Sequence, residues 1–104
     1  MPDPCQLAPD VVQDLEAVFD YTIDRWGIEQ AHRYKSKIVQ HLNSIAQGKA
    51  RLKTFLETRP ELQVSRCEHH YVFHLVRENQ APLIIAILHE RMNMIDRIRN
   101  RLDP

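Results

Sequence analysis

The stretch Leu83-Ile84-Ile85-Ala86-Ile87-Leu88-His89-Glu90-Arg91-Met92-Asn93 decides the fold. Its first six residues are all apolar and rich in β-branched isoleucine, the composition of a strand buried on both faces. Pro82 lacks the N–H that a ladder requires, so it fits the start of this strand and no interior position. The reading is a central strand that begins at Leu83. Where the apolar run stops, His89, Glu90 and Arg91 set an imidazole, a carboxylate and a guanidinium at the mouth of the core. Chemistry or recognition is expected there.

Working back from this strand, Arg77 to Ala81 is polar enough for a hairpin loop, and His70 to Val76 alternates. Tyr71, Phe73 and Leu75 take one face of that segment, and Val72, His74 and Val76 take the other. Leu62 and Val64 alternate with Gln63 and Ser65, with Glu68-His69 as the turn between the two strands. Three antiparallel strands form a meander. Lys49 to Arg59 shows no clean period and reads as a loop with at most one helical turn.

The first half of the chain is helical in pattern. Pro9 suits a first helical turn, and Val11, Leu15, Val18, Phe19, Thr22 and Trp26 recur at steps of three and four, which makes them the core stripe. Asp14, Glu16, Asp20 and Asp24 fall mostly on the wet side. Gly27 closes this helix, Ile28 to Gln47 repeats the period with Ala31, Tyr34, Ile38, Leu42 and Ile45, and Gly48 stops the second helix. So short a connection forces an antiparallel hairpin. Met92 to Leu102 has Ile98 and Leu102 near helical spacing and reads as a short C-terminal helix, while Cys5-Gln6-Leu7 is either a very short edge strand or a tail. The expected fold is α+β: one domain over residues 1–104, an N-terminal antiparallel helical hairpin on a three- to four-stranded antiparallel sheet, and a short C-terminal helix. A sheet apolar on both sides needs its second face covered by that helix or by another chain.

Fourteen bases and fourteen acids cancel, so nothing in the net charge argues for sequence-specific nucleic-acid binding. The charges are segregated, however. Residues 1–30 hold seven acids against Arg25 alone, and residues 31–59 hold seven bases against Glu57 alone. Cys5 and Cys67 lie far apart, without the spacing of a zinc knuckle or a disulfide framework. No apolar run approaches the ~20 residues that span a bilayer, and no basic-then-apolar signal opens the chain. A cytoplasmic protein with no membrane role and no cofactor is the expectation.

Three stretches together resemble a known family, the RelE/ParE superfamily of bacterial type II toxins, and more closely its ParE branch. The segment from Leu7 to Gly27, with its Pro start, Asp14-Leu15 centre and Trp26-Gly27 end, looks like the family's opening helix. Ala31-His32-Arg33-Tyr34 is similar to the start of its second helix, and Ile87 to Asn93 to its closing strand. The chain departs from the family at Ala8, where a Ser or Thr cap is common, and in residues 48–60, which lack the usual glycine-rich pattern. The resemblance implies a toxin neutralised by a cognate ParD-like, ribbon-helix-helix antitoxin, as a homodimer or a toxin–antitoxin hetero-oligomer. For the ParE branch it implies DNA gyrase as target, trapped in its cleaved-DNA state without catalysis by the toxin. RelE-type relatives instead cut messenger RNA on the ribosome, and an inactive relative serving as an interaction module is a third alternative.

The residues can be sorted under those alternatives. His89 and Arg91, with Arg66 and Arg77 at the two ends of the middle strand, are the acid, base and phosphate clamps that RNA cleavage would need. The lack of net positive charge weighs against them, because phosphate neutralisation dominates RNA binding. Arg91, Arg97, Arg99 and Arg101, with Arg33 and Lys37 on the second helix, are the expected partner-binding cations, ringing a groove between the hairpin and the meander. His69, His70 and His74 invite a metal reading, with His70 and His74 on one face, but no cysteine or carboxylate stands at ligand spacing and no metal is expected.

Overall fold

A computed structural model describes residues 5–102. The elements run β1 (Gln6–Leu7), α1 (Pro9–Trp26), α2 (Ile28–Ala46), β2 (Lys53–Leu56), β3 (Arg59–Cys67), β4 (His70–Leu75), β5 (Leu83–His89) and α3 (Met94–Leu102). The helical hairpin begins and ends where its local signals stand. Pro9 opens α1 with Ala8 in extended conformation before it and no side-chain cap, as the missing hydroxyl implies. Gly27 joins the two helices at a φ of 87°, a value that disfavours any residue with a Cβ, and Gly48 follows α2 at a φ of 72°.

The strands form one five-stranded sheet in the order β1-β5-β4-β3-β2. This differs from the sequence reading in three respects. First, the sheet is mixed, because β1 pairs parallel with β5 through Gln6 with Leu83 and Leu7 with Ile84. Second, β4 holds the middle of the sheet; β5 is its neighbour, and only two residues of β1 flank it on the other side. Third, the segment read as a loop contains β2, which pairs antiparallel with β3 through Lys53 with Val64 and Thr54 with Gln63. A register shift between Thr54 and Leu56 breaks the alternation there, and this is why no period shows in the sequence.

A second irregularity lies in β5. Phe73 faces Ala86 and His74 faces Ile84, so Ile85 is the extra residue of a bulge. The bulge lets Ile85 and Ala86 both join one apolar layer, while Ile84 and Ile87 join the other.

The sheet therefore carries two cores. On the hairpin side, Val11, Val18, Ile38, Leu42 and Ile45 pack on Val72, Ile84 and Ile87. On the opposite side, Leu62, Phe73, Ile85, Ala86 and Leu88 pack under Ile98 of α3, with Met94 and Leu102 beside it. The short C-terminal helix is thus the cover that a doubly apolar sheet requires. Asn93 caps it by accepting a hydrogen bond from the Asp96 N–H at 3.4 Å.

Candidate partner-binding site

At the end of the sheet where His70 faces His89, the tip of the hairpin overhangs the β3–β4 turn. The groove between them has a volume of about 380 Å³ and is lined by aromatic and imidazole rings, with Tyr21, Trp26, Tyr34, His70 and His89 prominent among them. Trp26 is 71% exposed. It is therefore not the core residue that its spacing predicts; at the end of α1 its ring borders the open groove instead of the buried apolar layer.

His70 is the buried centre of this end. Its Nδ1 meets the Tyr34 hydroxyl at 2.5 Å, and that hydroxyl accepts the His69 N–H at 3.2 Å. The phenol oxygen thus links the His70 ring and the His69 backbone in one hydrogen-bonded chain. The His89 ring stands edge-on to His70 at 5.2 Å, and His89 Nδ1 accepts the Arg91 N–H at 3.1 Å. Burial, and then the neighbouring His89 and His69, pushes the His70 pKa down to about 4, against a smaller opposing pull from Glu90. Desolvation raises the Tyr34 phenol above its ordinary value. At neutral pH both rings are neutral, fixed hydrogen-bonding groups.

The charged residues divide. Arg66 lies at the His89 end, where its guanidinium donates to Glu90 Oε2 at 2.8 Å and to the Glu68 carbonyl at 2.9 Å. Arg91 follows β5 and is exposed. Arg77 lies beyond Leu75, at the opposite end of β4, and is tied to the Gln6 side chain at 2.7 Å and the Ala81 carbonyl at 2.8 Å. Of the four residues that RNA cleavage would use, the structure gathers His89, Arg91 and Arg66 and leaves Arg77 at the far end.

The cations expected from the sequence to meet a partner also fall into two groups. Arg33 and Lys37 are exposed on α2, with Lys37 Nζ 3.4 Å from Glu68. Arg97 and Arg99 are exposed on α3, and Arg99 borders a shallow depression of about 370 Å³ with Leu56, Thr58, Arg59, Asn100 and Leu102. The two helices cover opposite faces of the sheet, so a partner that meets both groups has to wrap around an edge. Arg101 turns inward and is bonded within the chain. Among the described residues no cluster of three or more His, Cys, Asp or Glu side chains could hold a metal ion, and Cys5 and Cys67 are free thiols. His70 and His74 do share the hairpin face; His74 is 1% exposed and its Nδ1 has no partner among the described residues.

A two-helix hairpin on one face of a small mixed sheet, a nine-residue helix on the other and an aromatic groove at one end define a small α+β protein built for contact at one end of its sheet. No helix among the described residues is long and apolar enough to cross a membrane. Residues 6–94 match the family described as the ParE toxin of the type II toxin–antitoxin system parDE, and the chain belongs to that family. It is 41% identical over 96 residues to Toxin ParE of Escherichia coli, covering 92% of this chain and 93% of that one. It is 32% identical over 89 residues to Toxin ParE1 of Mycobacterium tuberculosis, covering 85% and 90%. A solved structure titled as the chromosomal ParDE TA system from P. aeruginosa superposes with a TM-score of 0.70 at 17% identity, over 85% of this chain and 96% of that one, which is agreement of fold.

Proposed function

We propose that this ParE-family toxin acts by binding, arresting DNA gyrase in its cleaved-DNA state in the cytoplasm, and that a cognate antitoxin of the ParD type neutralises it. The family match over residues 6–94 supports the class of target. The state of the groups around His89 carries the choice of binding over catalysis. Of the residues that RNA cleavage would use, Arg66 is engaged by Glu90, and Arg77 is remote, tied to Gln6 and Ala81 at the opposite end of β4. A chain with no net charge also lacks the surplus of cations that an RNA-bound enzyme draws on.

The antitoxin's share of the reading rests on chemistry at the surface. Exposed Arg33, Lys37, Arg91, Arg97 and Arg99 offer cations on both faces, and Tyr21 and Trp26 offer aromatic anchor area at the groove. A partner segment that combines acidic side chains with apolar anchors fits both, with the anchors setting most of the affinity and the charges speeding encounter. Overexpression without antitoxin tests the target. The expected outcome is growth arrest with a DNA-damage response while bulk translation initially continues, whereas rapid ribosome-dependent loss of messenger RNA would favour the endonuclease reading.

A further inference from the structure

Among the described residues, β5 has no strand beside it beyond Ile84 on the side away from β4, because β1 ends at Leu7. A strand edge left open in this way presents unpaired backbone groups and is a template for unwanted pairing. Here two side chains take the place of the missing strand. The Ile87 N–H donates to Asp14 Oδ2 at 3.0 Å, and the Ile85 carbonyl accepts from Arg101 Nη1 at 2.8 Å. The two side chains also bind each other through a two-pronged contact, Nη1 to Oδ2 at 2.5 Å and Nη2 to Oδ1 at 2.7 Å. Asp14 comes from α1 and Arg101 from α3, elements that otherwise lie on opposite faces of the sheet. Their side chains are 12% and 18% exposed, so the pair is largely withdrawn from solvent.

We propose that Asp14 and Arg101 form a latch that closes the open edge of β5 and holds α3 down as a lid on the second core. The chemistry of each group suits the task. A carboxylate only accepts, and it meets the strand's donor; a guanidinium only donates, and it meets the strand's carbonyl. The planar fork leaves further N–H groups for the carboxylate in a fixed geometry that the single ammonium of lysine does not reproduce. Ile98 supplies the apolar contact beneath α3, but it is the only fully buried residue of that nine-residue helix. The latch ties α3 to the helical hairpin. Opening it bares the edge of β5 and leaves Arg101 only the exposed Asp10 carboxylate, 4.0 Å away, so edge and lid loosen together.

Hydrogen exchange on the whole chain, resolved by residue, tests this with two variants. Asp14→Asn keeps one oxygen for Ile87 but cannot hold both prongs of the fork. Arg101→Lys keeps the charge and loses the fork. In both, exchange at the Ile87 amide and along α3 is expected to rise by about tenfold or more, while the amides around Ile38 in α2 keep their wild-type protection. Unchanged exchange at Ile87 and α3 in Arg101→Lys would show that the charge alone suffices, and it would overturn the latch. A uniform rise across the chain in both variants would overturn it as well, since the pair would then be ordinary packing. Neither outcome bears on the gyrase reading, which is decided by a different assay.

Discussion

The two faces of the sheet are built on different terms. The buried core of the α3 face is apolar, with Leu62, Phe73, Ala86 and Leu88 all but inaccessible and Phe55 meeting Phe73 edge-on at 4.9 Å, while Arg66 and Tyr71 stand at its rim. The hairpin face has apolar residues of the same kind but mixes in Ser65, His70 and His74, which meet α2 through His41 and Tyr34. Among the described residues no ionisable side chain is buried within the core of the α3 face, so its apolar packing is indifferent to pH. The other contains buried polar groups that have to stay neutral, and it is the face that ends in the aromatic groove.

The largest expected effects lie on the apolar face. Ile85→Asp would bury an uncompensated carboxylate within the bulge of β5, a cost of several kcal/mol that is comparable with the ~5–15 kcal/mol stability of a small domain. Soluble folded protein should not be recovered, and a well-folded variant by circular dichroism would remove β5 from the core. Phe73→Ala should cost about 3–5 kcal/mol in denaturant titration, by the same amount at pH 7 and pH 5. An effect that varied with pH would break the contrast between the faces.

Acid should act on the hairpin face. His70 has a folded pKa of about 4, below its unfolded value of 6.5, so its neutral form is favoured by folding. The stability this represents is complete above pH 6.5 and is lost as the pH falls from there towards 4. The loss should be on the order of 2–3 kcal/mol, with His41 and His74 adding in the same direction because burial lowers both. His70→Gln should flatten the profile between pH 6.5 and 4. If thermal unfolding of wild type is level over that range, the hairpin face carries no titrating load.

The smallest effect on stability belongs to the exposed cations. Replacing Arg97 and Arg99 with glutamine should change stability by less than about 1 kcal/mol. It should nevertheless slow antitoxin association and weaken its salt dependence, with little change in dissociation. Stopped-flow binding at low and high salt checks this, and an unchanged on-rate at low salt would take α3 out of the docking surface.

What can be read from the chain beforehand follows from how local each signal is. Pro9, Gly27 and Gly48 fix the helical hairpin through their own backbone preferences, and the alternation from Tyr71 to Val76 fixes the faces of β4. β2 escapes such a reading because Lys53 and Thr54 are polar and the shift before Leu56 destroys the period. β1 is ambiguous because two residues carry no period, and its parallel partner lies near the other end of the chain. Asp14 reads as a solvated acid and Arg101 as a surface cation, yet they bind each other across 87 positions, and no spacing rule reaches that far. Likewise, nothing near Tyr34 in sequence announces His70, so the centre of the groove emerges only with the fold.

The proposed action of this chain is to bind and arrest gyrase. Purified toxin should be titrated into a gyrase supercoiling reaction, with cleaved DNA measured in the same tubes and a ribosome-dependent messenger RNA cleavage assay run alongside. The expected result is falling supercoiling, accumulating cleaved DNA, reversal by the antitoxin and intact messenger RNA. Unimpaired supercoiling together with cut messenger RNA would contradict it.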